Sequence, residues 1–243
     1  GYVQYVKTLV DEGKIKAETI DNAVRNILKL KFRLGLFENP YVDESLARQV
    51  AYAPEHLAAA KQSAVESAIL LQNNNDVLPL KSAKRILVTG PMADAPYDQL
   101  GTWAFDGEEA YTVTPLTALR KDYEVVYEPA LAYSRDASTA GIPAAVAAAR
   151  GVDAVVAFVG EEAILSGEAH SLSQINLQGA QSELIKALKA TGKPIVVVVI
   201  AGRNLTIERD LENCDAMLYS FHPGTMGGEA LADLITGRAV PSG

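Results

Sequence analysis

The stretch Asp153–His170, DAVVAFVGEEAILSGEAH, decides how the chain is read. Its first part, Ala154 to Val159, is an apolar run with no charge, which predicts a strand buried on both faces. Gly160 breaks the run, and the loop behind it carries three carboxylates, Glu161, Glu162 and Glu168, with His170 close by. Open α/β sheets place their ligands beyond the carboxyl ends of their strands. No other loop in the chain gathers as much titratable chemistry, so this one is the candidate site.

Working outward, the pattern around it is regular. Strands are predicted at Ile86–Val88, Glu124–Tyr127, Ile195–Ile200 and Ala216–Ser220. Helices are predicted at Leu116–Leu119, Ala144–Arg150, Gln181–Ala190 and Glu229–Ile235. Short apolar strands alternating with helices indicate a largely parallel sheet covered on both faces. Upstream, residues 41–84 read as a structured connector. Pro54 opens a helix running to about Glu66, Ala68–Gln72 forms a short strand, and Asn73-Asn74-Asn75-Asp76 makes a turn. Residues 1–34 read as helical, with Val24, Ile27, Leu28 and Leu34 on one face. Gly35 takes the left-handed position that ends the helix. This piece has no strand of its own to pack on, and both ends of the chain are expected to be cuts through a longer polypeptide.

The composition narrows the partners. Of 243 residues 49% are apolar, enough for a well-buried core. A net charge of -8 without any basic run disfavours nucleic acid and anionic membranes, and suits a neutral substrate such as a sugar. The longest apolar run, Ile195–Ala201, is far short of the roughly 20 residues that a bilayer requires. A single cysteine, Cys214, excludes an internal disulfide or a cysteine-based zinc site. No HExxH, Cys/His cluster or Asp-rich calcium loop is present, so neither metal nor cofactor is expected.

Several short motifs occur together and in order. They are Leu34-Gly35-Leu36-Phe37, Ala68-Ile69-Leu70-Leu71-Gln72-Asn73 with Val77-Leu78-Pro79-Leu80, and Gly101-Thr102-Trp103. Ala201-Gly202-Arg203, His222-Pro223-Gly224 with Gly227-Gly228, and Pro241-Ser242-Gly243 complete the set. In this order they resemble glycoside hydrolase family 3, across essentially the whole chain, and look nearest to its bacterial periplasmic β-glucosidases. The resemblance implies a six-stranded, mostly parallel α/β sandwich preceded by the last helices of a (β/α)8-like barrel. On that reading residues 1–38 are the end of the barrel, 39–60 a linker, and 61–243 the sandwich, cut short at its C-terminal end. It further implies a retaining β-glucosidase, periplasmic or secreted, whose nucleophilic aspartate lies upstream in the barrel. The substrate would be a β-glucoside or oligosaccharide, and a homodimer is compatible with it.

Retaining hydrolysis needs two carboxyl groups flanking the scissile bond, about 5–5.5 Å apart. The resemblance places Glu168, in Ser166-Gly167-Glu168-Ala169-His170-Ser171, as the acid/base, the plainer reading being an exposed loop glutamate. Glu161 is expected to orient the loop by accepting backbone N–H groups, and Glu162 to face solvent. His170 would bond Glu168 or a sugar hydroxyl, or be a plain surface residue. Trp103 or Phe105 would stack on the sugar's C–H face, the rival role for Trp103 being a core anchor. Arg203 is expected to clamp loops at the sheet's carboxyl end, and His222 to pack a turn. The alternative from another class is a nucleotide- or small-molecule-binding domain using Thr89-Gly90-Pro91-Met92-Ala93, although Pro91 fits poorly in a loop of phosphate-cradling N–H groups. A third is a non-catalytic scaffold or carbohydrate-binding module.

Overall fold

A computed structural model describes residues 1–243, with the side chain at position 48 outside the description. The chain forms two compact units, Gly1–Ala53 and Pro54–Gly243. The first holds three helices, α1 (Tyr2–Asp11), α2 (Ala17–Arg33) and α3 (Glu44–Val50). Helix α2 ends as its sequence dictates: Gly35 adopts φ +67°, its N–H bonds Phe32 O at 3.1 Å, and Leu36 N–H reaches Lys31 O at 3.1 Å. The interval 39–60 carries α3 and the first half of the next helix.

The second unit contains, in chain order, α4 (Pro54–Ser67), β1 (Ile69–Asn73), β2 (Arg85–Thr89), α5 (Pro96–Leu100) and α6 (Pro115–Leu119). There follow β3 (Glu124–Glu128), α7 (Ile142–Ala149), β4 (Ala154–Gly160), α8 (Gln181–Lys189) and β5 (Ile195–Ile200). The unit closes with α9 (Glu208–Leu211), β6 (Ala216–Tyr219) and α10 (Gly227–Thr236). The predicted strands and helices all form. Helix α7 begins earlier than expected because Pro143 sits in its first turn, and the short α5 and α9 were not foreseen.

The six strands make one sheet, ordered β1-β6-β5-β4-β2-β3, parallel except for β1, which pairs antiparallel with β6. Strand parity divides the core. Val156, Phe158, Val196, Val198 and Ile200 point to the face covered by α4, α6 and α10. Val155, Val159, Val197 and Val199 point to the face covered by α7 and α8, where Leu184, Ile185 and Leu188 meet them. All seven residues of β4 and all six of β5 are buried. Such strands cannot carry charge along their length, so polar side chains collect at their ends.

Strand order reverses between β2 and β4, since the chain runs from β2 outward to β3 and returns on the other side as β4. The crevice at such a reversal is where open sheets bind ligands. The two strands close tightly there: a Cβ on Gly90 would lie 2.1 Å from Phe158 O. At the tip of β4, Gly160 takes φ +142°, and its main chain is held by the fully buried Gln181. Gln181 Oε1 accepts Gly160 N–H at 2.8 Å, while Nε2 donates to Gly160 O at 2.9 Å and Ser134 O at 2.8 Å. Gln181→Leu strands these main-chain groups in a dry environment. It is expected to lower stability by about 2–4 kcal/mol, read as a lower urea midpoint with unchanged m.

Candidate functional site

Four loops meet beyond the carboxyl ends of the parallel strands: 90–105 after β2, 161–170 after β4, 201–203 after β5 and 220–224 after β6. The loop after β4 holds the three carboxylates, and burial sorts them. Glu161 is wholly buried, and its Oε2 accepts from Arg203 Nε at 3.0 Å. The expected backbone N–H donors to Glu161 are replaced by a guanidinium, because the side chain turns inward toward the β5 loop. Burial raises the Glu161 pKa, outweighing the pull of Arg203.

Glu162 is not a solvent-facing residue. It is half-buried, accepts Ser134 Oγ at 2.7 Å, and pairs with Arg135 at 3.3 Å. Burial pushes its pKa up, but the bonds from Ser134 and Arg135 more than offset this and leave it below its ordinary value. Glu168, in contrast, is exposed, and no hydrogen bond or ion pair engages its carboxylate among the described residues. It stands between two left-handed residues, Gly167 at φ +101° and Ala169 at φ +63°. His170 touches its main chain only, Nδ1–H donating to Glu168 O at 2.9 Å.

The base of this loop is tied at several points, while its tip is not. Arg203 also donates to Leu165 O, joining the β5 loop to the β4 loop. Asp98 on α5 accepts Ala163 N–H at 2.8 Å, and Thr102 Oγ1 donates to Ala163 O at 2.6 Å. Thr102 Oγ1 also lies 2.8 Å from Ser166 Oγ. Burial holds the Asp98 carboxyl above its ordinary value against the pull of Ala163 N–H, with Glu162 and Glu109 adding to the rise. Sequence reading missed Asp98 and the Thr102–Ser166 pair. The one legible signal was Ala95-Pro96-Tyr97-Asp98, a helix start with proline in its first turn.

Trp103 and Phe105 project from the same β2 loop, 60% and 76% exposed, with ring centroids 5.9 Å apart at 86°. Trp103 is therefore no core anchor. A Cβ on Gly167 would meet Thr102 Cγ2 at 2.4 Å and Trp103 Cζ2 at 3.5 Å, so the aromatic and acidic loops are in contact. His222 packs against both flanking glycines: a Cβ would come within 2.9 Å of its ring on Gly101 and 2.6 Å of Nε2 on Gly202. Neither ring nitrogen has a hydrogen-bond partner among the described residues. Burial depresses the His222 pKa, opposed by the nearby Asp98 main chain.

The loop weighed for nucleotide binding is committed elsewhere. Gly90 N–H bonds Pro129 O at 3.1 Å and Met92 N–H bonds Phe158 O at 3.2 Å, leaving these donors unavailable to a phosphate. Among the described residues no cluster of three or more His, Cys, Asp and Glu could hold a metal ion, and no helix is long and apolar enough to cross a membrane.

Comparison with known proteins agrees with this architecture. The Glycosyl hydrolase family 3 C-terminal domain matches residues 68–243, and the chain belongs to this family. A periplasmic beta-glucosidase of Salmonella typhimurium is 34% identical over 100% of the chain and 35% of its own length. A beta-xylosidase of Formosa agariphila is 34% identical over 92% of the chain and 32% of its own length. The crystal structure of a beta-glucosidase from Listeria innocua in complex with isofagomine superimposes with a TM-score of 0.89 at 36% identity, over 99% of this chain and 34% of that one. The chain thus spans about a third of the relatives it matches.

Two measurements test the site's construction. Gly167→Ala meets both the Thr102 clash and the positive φ, and is expected to cost at least about 1 kcal/mol in unfolding experiments. His222 binds protons less well folded than unfolded, so stability is expected to fall as pH drops below about 6.5 toward its lower folded value. Comparing His222→Gln with the parent at pH 7.5 and pH 5.0 by urea titration isolates that loss, which the variant should lack.

Proposed function

We propose that this chain supplies the acid/base side of a retaining glycosidase that removes terminal β-linked glucose from glucosides or cello-oligosaccharides. One observation carries the reading. Of the three carboxylates beyond β4, two are committed to protein partners, and only Glu168 is presented uncommitted at the strand-order reversal. A group that must exchange a proton with substrate needs that freedom.

Glu168 would protonate the glycosidic oxygen as its bond to the anomeric carbon breaks. It would then take a proton from the water that attacks the glycosyl intermediate. The nucleophile would be an aspartate of a preceding barrel, of which residues 1–38 form the end. The apolar side chains that α2 leaves exposed, Ile27 at 60% and Phe32 at 61%, support a further partner for that helix. Trp103 and Phe105 would wall the leaving-group subsite, and His170, fixed to the Glu168 main chain, would face a sugar hydroxyl.

Relatives support the substrate class: the Listeria innocua beta-glucosidase has been solved with glucose and with laminaribiose, and the Salmonella relative is periplasmic. A periplasmic or secreted location fits the Salmonella relative, and a role in cellulose breakdown is part of the proposal. The chain alone, without a nucleophile, is expected to be inactive. In the complete protein, Glu168→Ala is expected to cut turnover of aryl β-glucosides with poor leaving groups by about 10²–10⁴-fold. Activated substrates should lose far less, and azide should restore rate as a β-glycosyl azide. An unchanged rate on poor leaving groups would remove Glu168 from the chemistry.

A further inference from the structure

We propose that Arg203 is the positioning residue that aims Glu168, through a guanidinium fork shared between the Glu161 carboxylate and the Leu165 carbonyl. The inference rests on the acid/base reading of Glu168 and extends it to how that side chain is placed.

Arg203 follows β5 and is largely buried, yet its two directions of donation both end in the loop after β4. Nε donates to Glu161 Oε2 at 3.0 Å and Nη2 to Leu165 O. These contacts lie at the two ends of the turn Glu161–Leu165, immediately before Ser166, Gly167 and Glu168. Arg203 is itself fixed, since the Tyr219 hydroxyl donates to its main-chain oxygen and accepts Leu205 N–H at 3.2 Å. A chain of contacts therefore runs from β6 through the β5 loop to the residue that precedes the acidic tip.

Stability alone explains this pair poorly. Glu161 is wholly buried, and its Oε1 has no hydrogen-bond partner. Burying a carboxylate with one oxygen unmatched is costly, and an apolar pair of similar volume often stabilises a fold as well or better. What an apolar pair lacks is direction. A planar guanidinium holds two acceptors at a set angle, which fixes where Leu165 O sits and thus where the following residues start. Lysine lacks this fork: its donors radiate from one nitrogen on a flexible stem and cannot fix the angle between the two acceptors.

The test uses the complete protein and compares Arg203→Lys with Glu168→Ala on two aryl β-glucosides, one with a poor and one with an activated leaving group. Arg203→Lys keeps the charge beside Glu161, so its thermal unfolding should remain cooperative. Its kcat/KM on the poor leaving group is expected to fall about 100-fold, as for a misplaced catalytic group, and on the activated one much less. Glu161→Gln provides a second variant with the same expected split at smaller size. Lys189→Met removes a partly buried ion pair with Asp215 remote from these loops, and serves as a control for destabilisation without aim. If Glu168→Ala shows the leaving-group dependence while Arg203→Lys and Glu161→Gln depress both substrates equally, or neither, the positioning role is overturned and the acid/base reading stands. If Glu168→Ala itself shows no such dependence, the acid/base reading fails, and the aim of Arg203 fails with it.

Discussion

The constraint on which the structure depends is that its two central strands, β4 and β5, are buried on both faces along their whole length. Every side chain along them must be apolar, and parity sends alternate residues into two separate cores. Polar chemistry is thereby expelled to the strand ends. At the amino ends it is used to tie the sheet together, as where Asp153 accepts the N–H groups of Lys84 and Arg85 at 2.8 and 2.9 Å. At the carboxyl ends, where the order of strands reverses, it gathers in the loops beyond which open sheets bind their ligands.

Within those loops, burial assigns roles to chemically identical groups. Three glutamates lie within eight residues of one another, and what separates them is the depth at which each carboxylate rests. Glu161 sits in a dry pocket with a guanidinium, Glu162 is shared with a serine and an arginine from the 134–135 turn, and Glu168 reaches water. The two committed carboxylates differ accordingly in proton affinity, with Glu161 raised by burial and Glu162 lowered by the donors around it.

The sheet was legible in the sequence because its signal is short-range. Runs such as Ile195–Ile200 admit few readings other than a buried strand, and glycines such as Gly35 mark helix ends by a backbone requirement. The location of the acidic loop was equally plain, since it follows directly from the strand it terminates. What sequence could not convey was pairing across long separations. Glu161 and Arg203 are far apart in the chain, as are Thr102 and Ser166 or Gln181 and Ser134. No periodicity relates such residues, and only the fold brings them within bonding distance. Glu162 was misread for the same reason: its position in a loop implied solvent, and its partners lie in a turn that sequence gave no cause to place nearby.

The loop after β4 has a sharp internal boundary at Ser166. Before it, main-chain groups are held by Asp98, Thr102 and Arg203; after it, residues 167–170 are exposed. The anchored part and the free part are therefore separable as units of design. Sequence changes around a retained Glu168 could be made downstream of Ser166 while the ties from Asp98, Thr102 and Arg203 stay in place. Apart from Gly167, whose backbone and packing exclude a side chain, variation in such a tip is cheap for a fold whose stability resides elsewhere.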